Sequence, residues 1–112
     1  MKDLAIKVVV KKVGEKPHIK VINNDIGELI RIVGGYVELV RVPFSKDNLY
    51  MGCNETGKIH NLPFNFYEPA RSDMIVGNVF FTAGDYDGNL IDLTDEQIKA
   101  IKSYLETNTL WN

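Results

Sequence analysis

Apolar and polar positions alternate from Leu4 to Val13, where Ile6, Val8 and Val10 are set against Lys7, Val9 and Lys11. A period of two is the strand period, so the segment predicts a strand with one apolar face. Gly14-Glu15-Lys16-Pro17 has turn chemistry, and His18 to Ile22 continues as a second strand, which predicts an antiparallel hairpin. The period then changes. Ile26, Leu29, Ile30 and Val33 fall at i, i+3, i+4 and i+7, the stripe of a short helix. Asp25 and Glu28 have capping-box spacing at its start, and Gly34-Gly35 ends it.

Tyr36 to Val42 predicts a third strand, stopped at Pro43, and Leu49 to Cys53 a fourth. Asn54-Glu55-Thr56-Gly57 turns the chain back, and Lys58 to His60 begins the return. Asn61 to Arg71 contains Pro63 and Pro69 and little periodicity, so it reads as an ordered loop anchored by Leu62, Phe64 and Phe66. Met74 to Ala83 is the most apolar strand and is expected at the centre of a sheet, with Gly77 marking a bulge or a close backbone approach. Thr94 and Gln97 form a second capping box, Leu93 staples onto Ile98, and Ile98, Ile101 and Leu105 make the buried stripe of the last helix. Trp111, after a polar break, either folds back onto the sheet or meets another chain. The expected fold is α+β: a single domain, residues 1–112, with a mostly antiparallel sheet of about five to six strands and both helices on one face.

Composition narrows the function classes. At 112 residues the chain is long enough for one core without disulfide or metal staples. A net charge of −2 lacks the cation surplus that sequence-independent nucleic-acid binding needs. Lys7, Lys11, Lys12, Lys16 and Lys20 crowd the first twenty residues, and the plain reading places them on the solvent face of the first two strands. No apolar run approaches the roughly 20 residues of a membrane span, and no signal-peptide core is visible, so neither a membrane nor a nucleic-acid partner is expected and the location is cytoplasmic. Without an export signal, the glycosylation sequon Asn54-Glu55-Thr56 carries no meaning.

Most candidate chemistry fails on spacing. Gly34-Gly35 sits at a helix C-terminus, where the dipole repels anions, and is no phosphate loop. Asp85-Tyr86-Asp87-Gly88-Asn89 with Glu96 imitates a calcium loop, but its glycine stands at position 4 where 6 is required, and a strand precedes it. His18 and His60 have no metal-ligand spacing, and Cys53, the only cysteine, reads as a core thiol. No serine has a nucleophile-elbow setting. No metal or cofactor is expected, and an enzyme is the minority reading.

What remains is Gly52 to Tyr67, dense in amides and aromatics. On a regular return strand Lys58 and His60 would point the same way, beside Asn61 and Asn65. With Asn54, Tyr67 as a stacking ring, and Arg71, they compose a candidate site for a nucleotide-like ligand. The plain alternative is that Phe64 and Phe66 fill the core and the asparagines bond loop backbone.

Three segments resemble a family of small uncharacterised proteins from phages and mobile elements of Gram-positive bacteria. They are Ile32-Val33-Gly34-Gly35-Tyr36-Val37-Glu38, then Cys53 to Lys58 through Leu62-Pro63-Phe64-Asn65, and Gly77 to Phe81 leading to Leu93-Thr94-Asp95-Glu96-Gln97. Where family members commonly carry an arginine, this chain has Phe66, with Arg71 as the nearby replacement. The resemblance implies a stoichiometric protein in the host cytoplasm that binds a host signalling molecule such as a defence nucleotide, or a host protein. It leaves a protein-inhibitor module, a small nucleotide-cleaving enzyme and a homo-oligomer open.

Overall fold

The computed structural model describes residues 5–107 and 110–111, so the expected first strand residue, Leu4, lies outside the described chain. The order is β1 (Ala5–Lys11), β2 (His18–Asn23), α1 (Ile26–Val33), β3 (Val37–Arg41), β4 (Leu49–Asn54), β5 (Phe64–Glu68), β6 (Asp73–Val76), β7 (Val79–Gly84), β8 (Leu90–Ile91), α2 (Asp95–Thr107) and β9 (Leu110–Trp111). The fold is α+β, as expected. Its strands form a six-stranded sheet in the order β2-β1-β7-β4-β3, with β8 beside β7, and a three-stranded sheet β6-β5-β9. All the ladders pair antiparallel. No helix of the described residues is long and apolar enough to cross a membrane.

The two helices take opposite faces of the large sheet, which corrects the expectation of one shared face. Val8, Val9 and Val10 are consecutive and all buried, and so are Val79 to Ala83. Successive strand residues point to opposite faces, so unbroken burial means both faces are covered. On one face Ile6, Val8, Val10 and Phe80 pack with Leu29 and Val33 of α1. On the other, Val9, Met51 and Phe81 pack with Ile98, Ile101 and Leu105 of α2 and with Phe66 and Ile75 of the small sheet. The alternation of Lys7, Val9 and Lys11 with the apolar residues was therefore no mark of a solvent face. Lys11 is fully buried, while Lys12, Lys16 and Lys20 are exposed.

The expected strand Met74 to Ala83 is two strands in different sheets. Gly77 separates them at φ +74°, a left-handed conformation that L side chains rarely adopt. A Cβ there would also stand 2.8 Å from Leu62 Cδ1, and its N–H bonds Pro63 O at 2.8 Å. The chain thus leaves β6 and enters the central strand β7 in one residue pair. The segment expected as a loop, Asn61 to Arg71, contains β5, and only its two ends are turns.

Both helix starts follow the sequence closely. Asp25 accepts from Glu28 N at 2.8 Å, and Gly34 caps α1 at φ +78°. Thr94 and Gln97 bond each other's backbone reciprocally, at 3.1 and 2.9 Å, with Leu93 and Ile98 buried beneath.

Candidate functional site

A cleft of about 200 Å³ opens between the two sheets. Its floor and walls follow from period two. Val40 of β3, Met51 and Cys53 of β4 and Phe81 of β7 share one face of the large sheet, through the cross-strand partners Val40↔Met51, Glu38↔Cys53 and Met51↔Phe81. Phe66, Glu68, Asp73 and Ile75 of the small sheet oppose them, and Tyr104 of α2 closes one end. The Tyr104 ring stacks on Phe44 with centroids 4.2 Å apart and planes at 22°.

The mouth is charged. Lys58 pairs with Asp73 across the turn after β4. Arg71 donates from its guanidinium to the Arg41 carbonyl, so the small sheet reaches the edge strand β3. Arg41 in turn donates to the carbonyls of Lys46 and Asp47, at 3.3 and 3.4 Å. Neither arginine forms an ion pair with a carboxylate among the described residues. The Arg71 guanidinium, held on a backbone oxygen at the cleft mouth, keeps its charge available to an anion, whereas the Arg41 side chain lies with Tyr50 on the sheet face away from Val40 and Met51.

Inside, two groups that could act as nucleophiles are held protonated. The Cys53 thiol is pushed up to about 11, by burial first and then by Glu38 and Asp73, with Lys58 opposing. Tyr104 is raised by burial and by the Glu68 carboxylate, to which its hydroxyl donates. At pH 8 the thiolate fraction of Cys53 is expected to be about 100-fold below that of an ordinary cysteine. Reaction with an aromatic disulfide reagent should be correspondingly slow; a rate equal to that of free glutathione would contradict this environment.

Of the residues singled out in the sequence, Asn54, Lys58 and Arg71 line the cleft. Asn54 is engaged within the fold: Nδ2 donates to Val33 O at 3.2 Å, while Oδ1 accepts from Thr56 N and Thr56 Oγ1. Asn65 is wholly buried, accepting from Lys11 Nζ and donating to Lys11 O and Gly77 O, all at 2.8 Å. Tyr67 lies half-buried on β5, its side chain opposite in direction to Phe66 and Glu68, and outside the cleft lining. His60 and Asn61 are exposed in the turn and also outside the lining.

The expected return strand at Lys58 to His60 is absent. Residues 55–61 wind in overlapping turns, with His60 N bonding Thr56 O and Leu62 N bonding Gly57 O. Lys58 and His60 are therefore not strand neighbours on one face. Phe66 is a core residue at 1% exposure.

Val40, Met51, Glu68 and Tyr104 line the cleft although no motif in the sequence singles them out. A signal existed for Glu68: in Phe66-Tyr67-Glu68 the carboxylate shares a strand face with a core aromatic, which only a strand assignment reveals. The acidic loop has a structural use. Asp85 accepts from the backbone of Asp87 and Asn89 and from the Asn89 side chain, and the Asn89 bonds lead in lowering its pKa. Among the described residues, no three His, Cys, Asp or Glu side chains are placed to hold a metal ion.

No curated protein and no solved structure matches the chain. Residues 6–107 match the family described as a domain of unknown function, DUF3846, and the chain belongs to that family.

Proposed function

We propose that the protein is a binding domain whose inter-sheet cleft takes one small nucleotide-like molecule, and that it acts by sequestering a host defence signal on behalf of a phage or mobile element. The observation that carries the ligand reading is the polarity gradient of the cleft. Apolar walls from Val40, Met51, Phe66, Phe81 and Ile75 lead out to Arg71 and Lys58 at the mouth. A planar ring enters such a cleft by displacing water from apolar surface, and its phosphate stays at the cationic rim. Holding Cys53 and Tyr104 protonated favours binding over nucleophilic chemistry. The volume favours a single ring system, since about 200 Å³ lies below the ~300–1,000 Å³ of sites for larger ligands. The phage context rests on the family resemblance and on the stoichiometric habit it implies.

A thermal-shift screen of nucleoside monophosphates and cyclic dinucleotides tests the reading, because only ligand that prefers the folded state raises stability. Lys58→Ala is expected to weaken calorimetric affinity about 10-fold by removing a charge-assisted contact. Folding should be nearly unchanged, because an exposed ion pair contributes only about 0–1 kcal/mol. Unaltered affinity would remove Lys58 from the site.

One observation favours a second reading. Ile59 and Met74 line the same mouth and are 78% and 54% exposed, a pair of apolar contacts suited to a host protein that inserts a side chain. That reading predicts a stable complex in native mass spectra and no thermal shift with nucleotides.

A further inference from the structure

Glu68 ends β5 inside the cleft at 6% exposure, a costly place for a carboxylate. One of its oxygens is fully occupied. Oε1 accepts from Ala70 N at 2.9 Å and from the Tyr104 hydroxyl, two donors that fix the side chain's direction. Oε2 accepts no bond from the described residues. Every fully buried polar side-chain atom among those residues has a partner, so Oε2 is the part of Glu68 that remains accessible. The cleft therefore presents a rigid, acceptor-only atom within apolar walls.

An ionised carboxylate offers lone pairs and no proton. It attracts an N–H edge and repels a ring nitrogen that carries a lone pair. Adenine presents such an acceptor, N1, next to its amino group. Guanine and hypoxanthine present N1–H at the same place, and guanine adds its amino group. A free ammonium ligand would satisfy Glu68 equally, but it would have to lodge beside Arg71, which has no carboxylate partner among the described residues. A neutral N–H edge combined with an anionic tail matches a buried carboxylate and an exposed arginine in the same cleft.

We propose that Glu68 is the specificity-determining acceptor of the cleft and that the ligand is a 6-oxopurine nucleotide, with N1–H directed to Glu68 Oε2 and phosphate at Arg71. This rests on the reading of the cleft as a nucleotide site and adds to it the identity of the base. Tyr104 is a positioning residue, since it holds Oε1 and contributes to the wall without supplying the selective contact.

Calorimetric titration of the full chain with guanosine, inosine and adenosine 5′-monophosphates tests the proposal. Guanosine and inosine monophosphates should each bind about 10-fold or more tightly than adenosine monophosphate, because adenine leaves the buried acceptor facing another acceptor. Glu68→Gln should abolish that preference, since an amide can turn a donor toward adenine N1. Equal affinities of the unaltered protein for all three would overturn the base assignment and leave the cleft reading standing. No binding by any of them, with no nucleotide or cyclic dinucleotide raising stability in the thermal-shift screen, would overturn both. The comparison on the unaltered protein does not depend on whether the variant folds.

Discussion

Asn65→Ala is expected to cost about 3–5 kcal/mol of stability, since it strands two buried carbonyls and takes a hydrogen bond from a buried ammonium, each a loss of about 1–3 kcal/mol. Asn65 joins the end of β1 to β5 and to the turn at Gly77, and so fastens the large sheet to the small one. Alanine would remove one acceptor of Lys11 Nζ and the side-chain donor to the Lys11 and Gly77 carbonyls, in a buried site. Lys11 would keep its bond to Lys12 O at 2.9 Å, which does not replace a side-chain acceptor. Burial already lowers the Lys11 pKa, which shows how poorly this site replaces water around the ammonium. The thermal midpoint should fall by roughly 15 °C on the usual scaling for a domain of this size. Asn65→Asp should lose less, because it keeps an acceptor for Lys11 while giving up both donors. Urea unfolding of the three proteins checks the order, and a loss below about 1 kcal/mol for the alanine variant would contradict it.

Gly52→Ala is expected to destabilise the protein by about 3 kcal/mol or more, the upper end of overpacking costs. A Cβ on Gly52 would stand 2.2 Å from both Cε1 and Cζ of Phe80, well inside any contact distance. Phe80 is fully buried, pairs with Gly52 across β4 and β7, and supports Leu29 and Val33 of α1. Its ring has nowhere to retreat without displacing the helix. Phe80→Leu alone should also destabilise, by leaving a void, but combined with Gly52→Ala it should recover part of the loss. That non-additivity is the signature of two residues competing for one volume. Additive penalties in chemical denaturation would place the damage elsewhere.

Local chemistry was readable where both partners lie close in sequence. The Thr94–Gln97 capping box and the Gly34 helix stop need only a few neighbouring residues, and both occur as the spacing implied. Asn65 was not readable, because its partner Lys11 is 54 positions away and nothing local separates a buried amide from an exposed one. The split of Met74 to Ala83 turned on a backbone torsion at Gly77, which an apolar run conceals. The helix faces were within reach: Val8-Val9-Val10 already breaks the alternation of a one-faced strand. For the candidate site, the turn after β4 drew notice for good reason, since Lys58 and Asn54 do line the cleft. Its opposite walls come from β3, β5 and α2, and only the assembled sheets bring Val40, Glu68 and Tyr104 to face it.

The most direct test of the central claim is a proton–nitrogen correlation spectrum of the labelled protein during titration with guanosine 5′-monophosphate. A ligand in the inter-sheet cleft should perturb the amides of Val40, Met51, Lys58, Glu68 and Ile75 together, and saturate. Perturbations confined instead to the groove of about 300 Å³ beside Lys12, Lys20 and Arg31, or no perturbation at millimolar ligand, would contradict it.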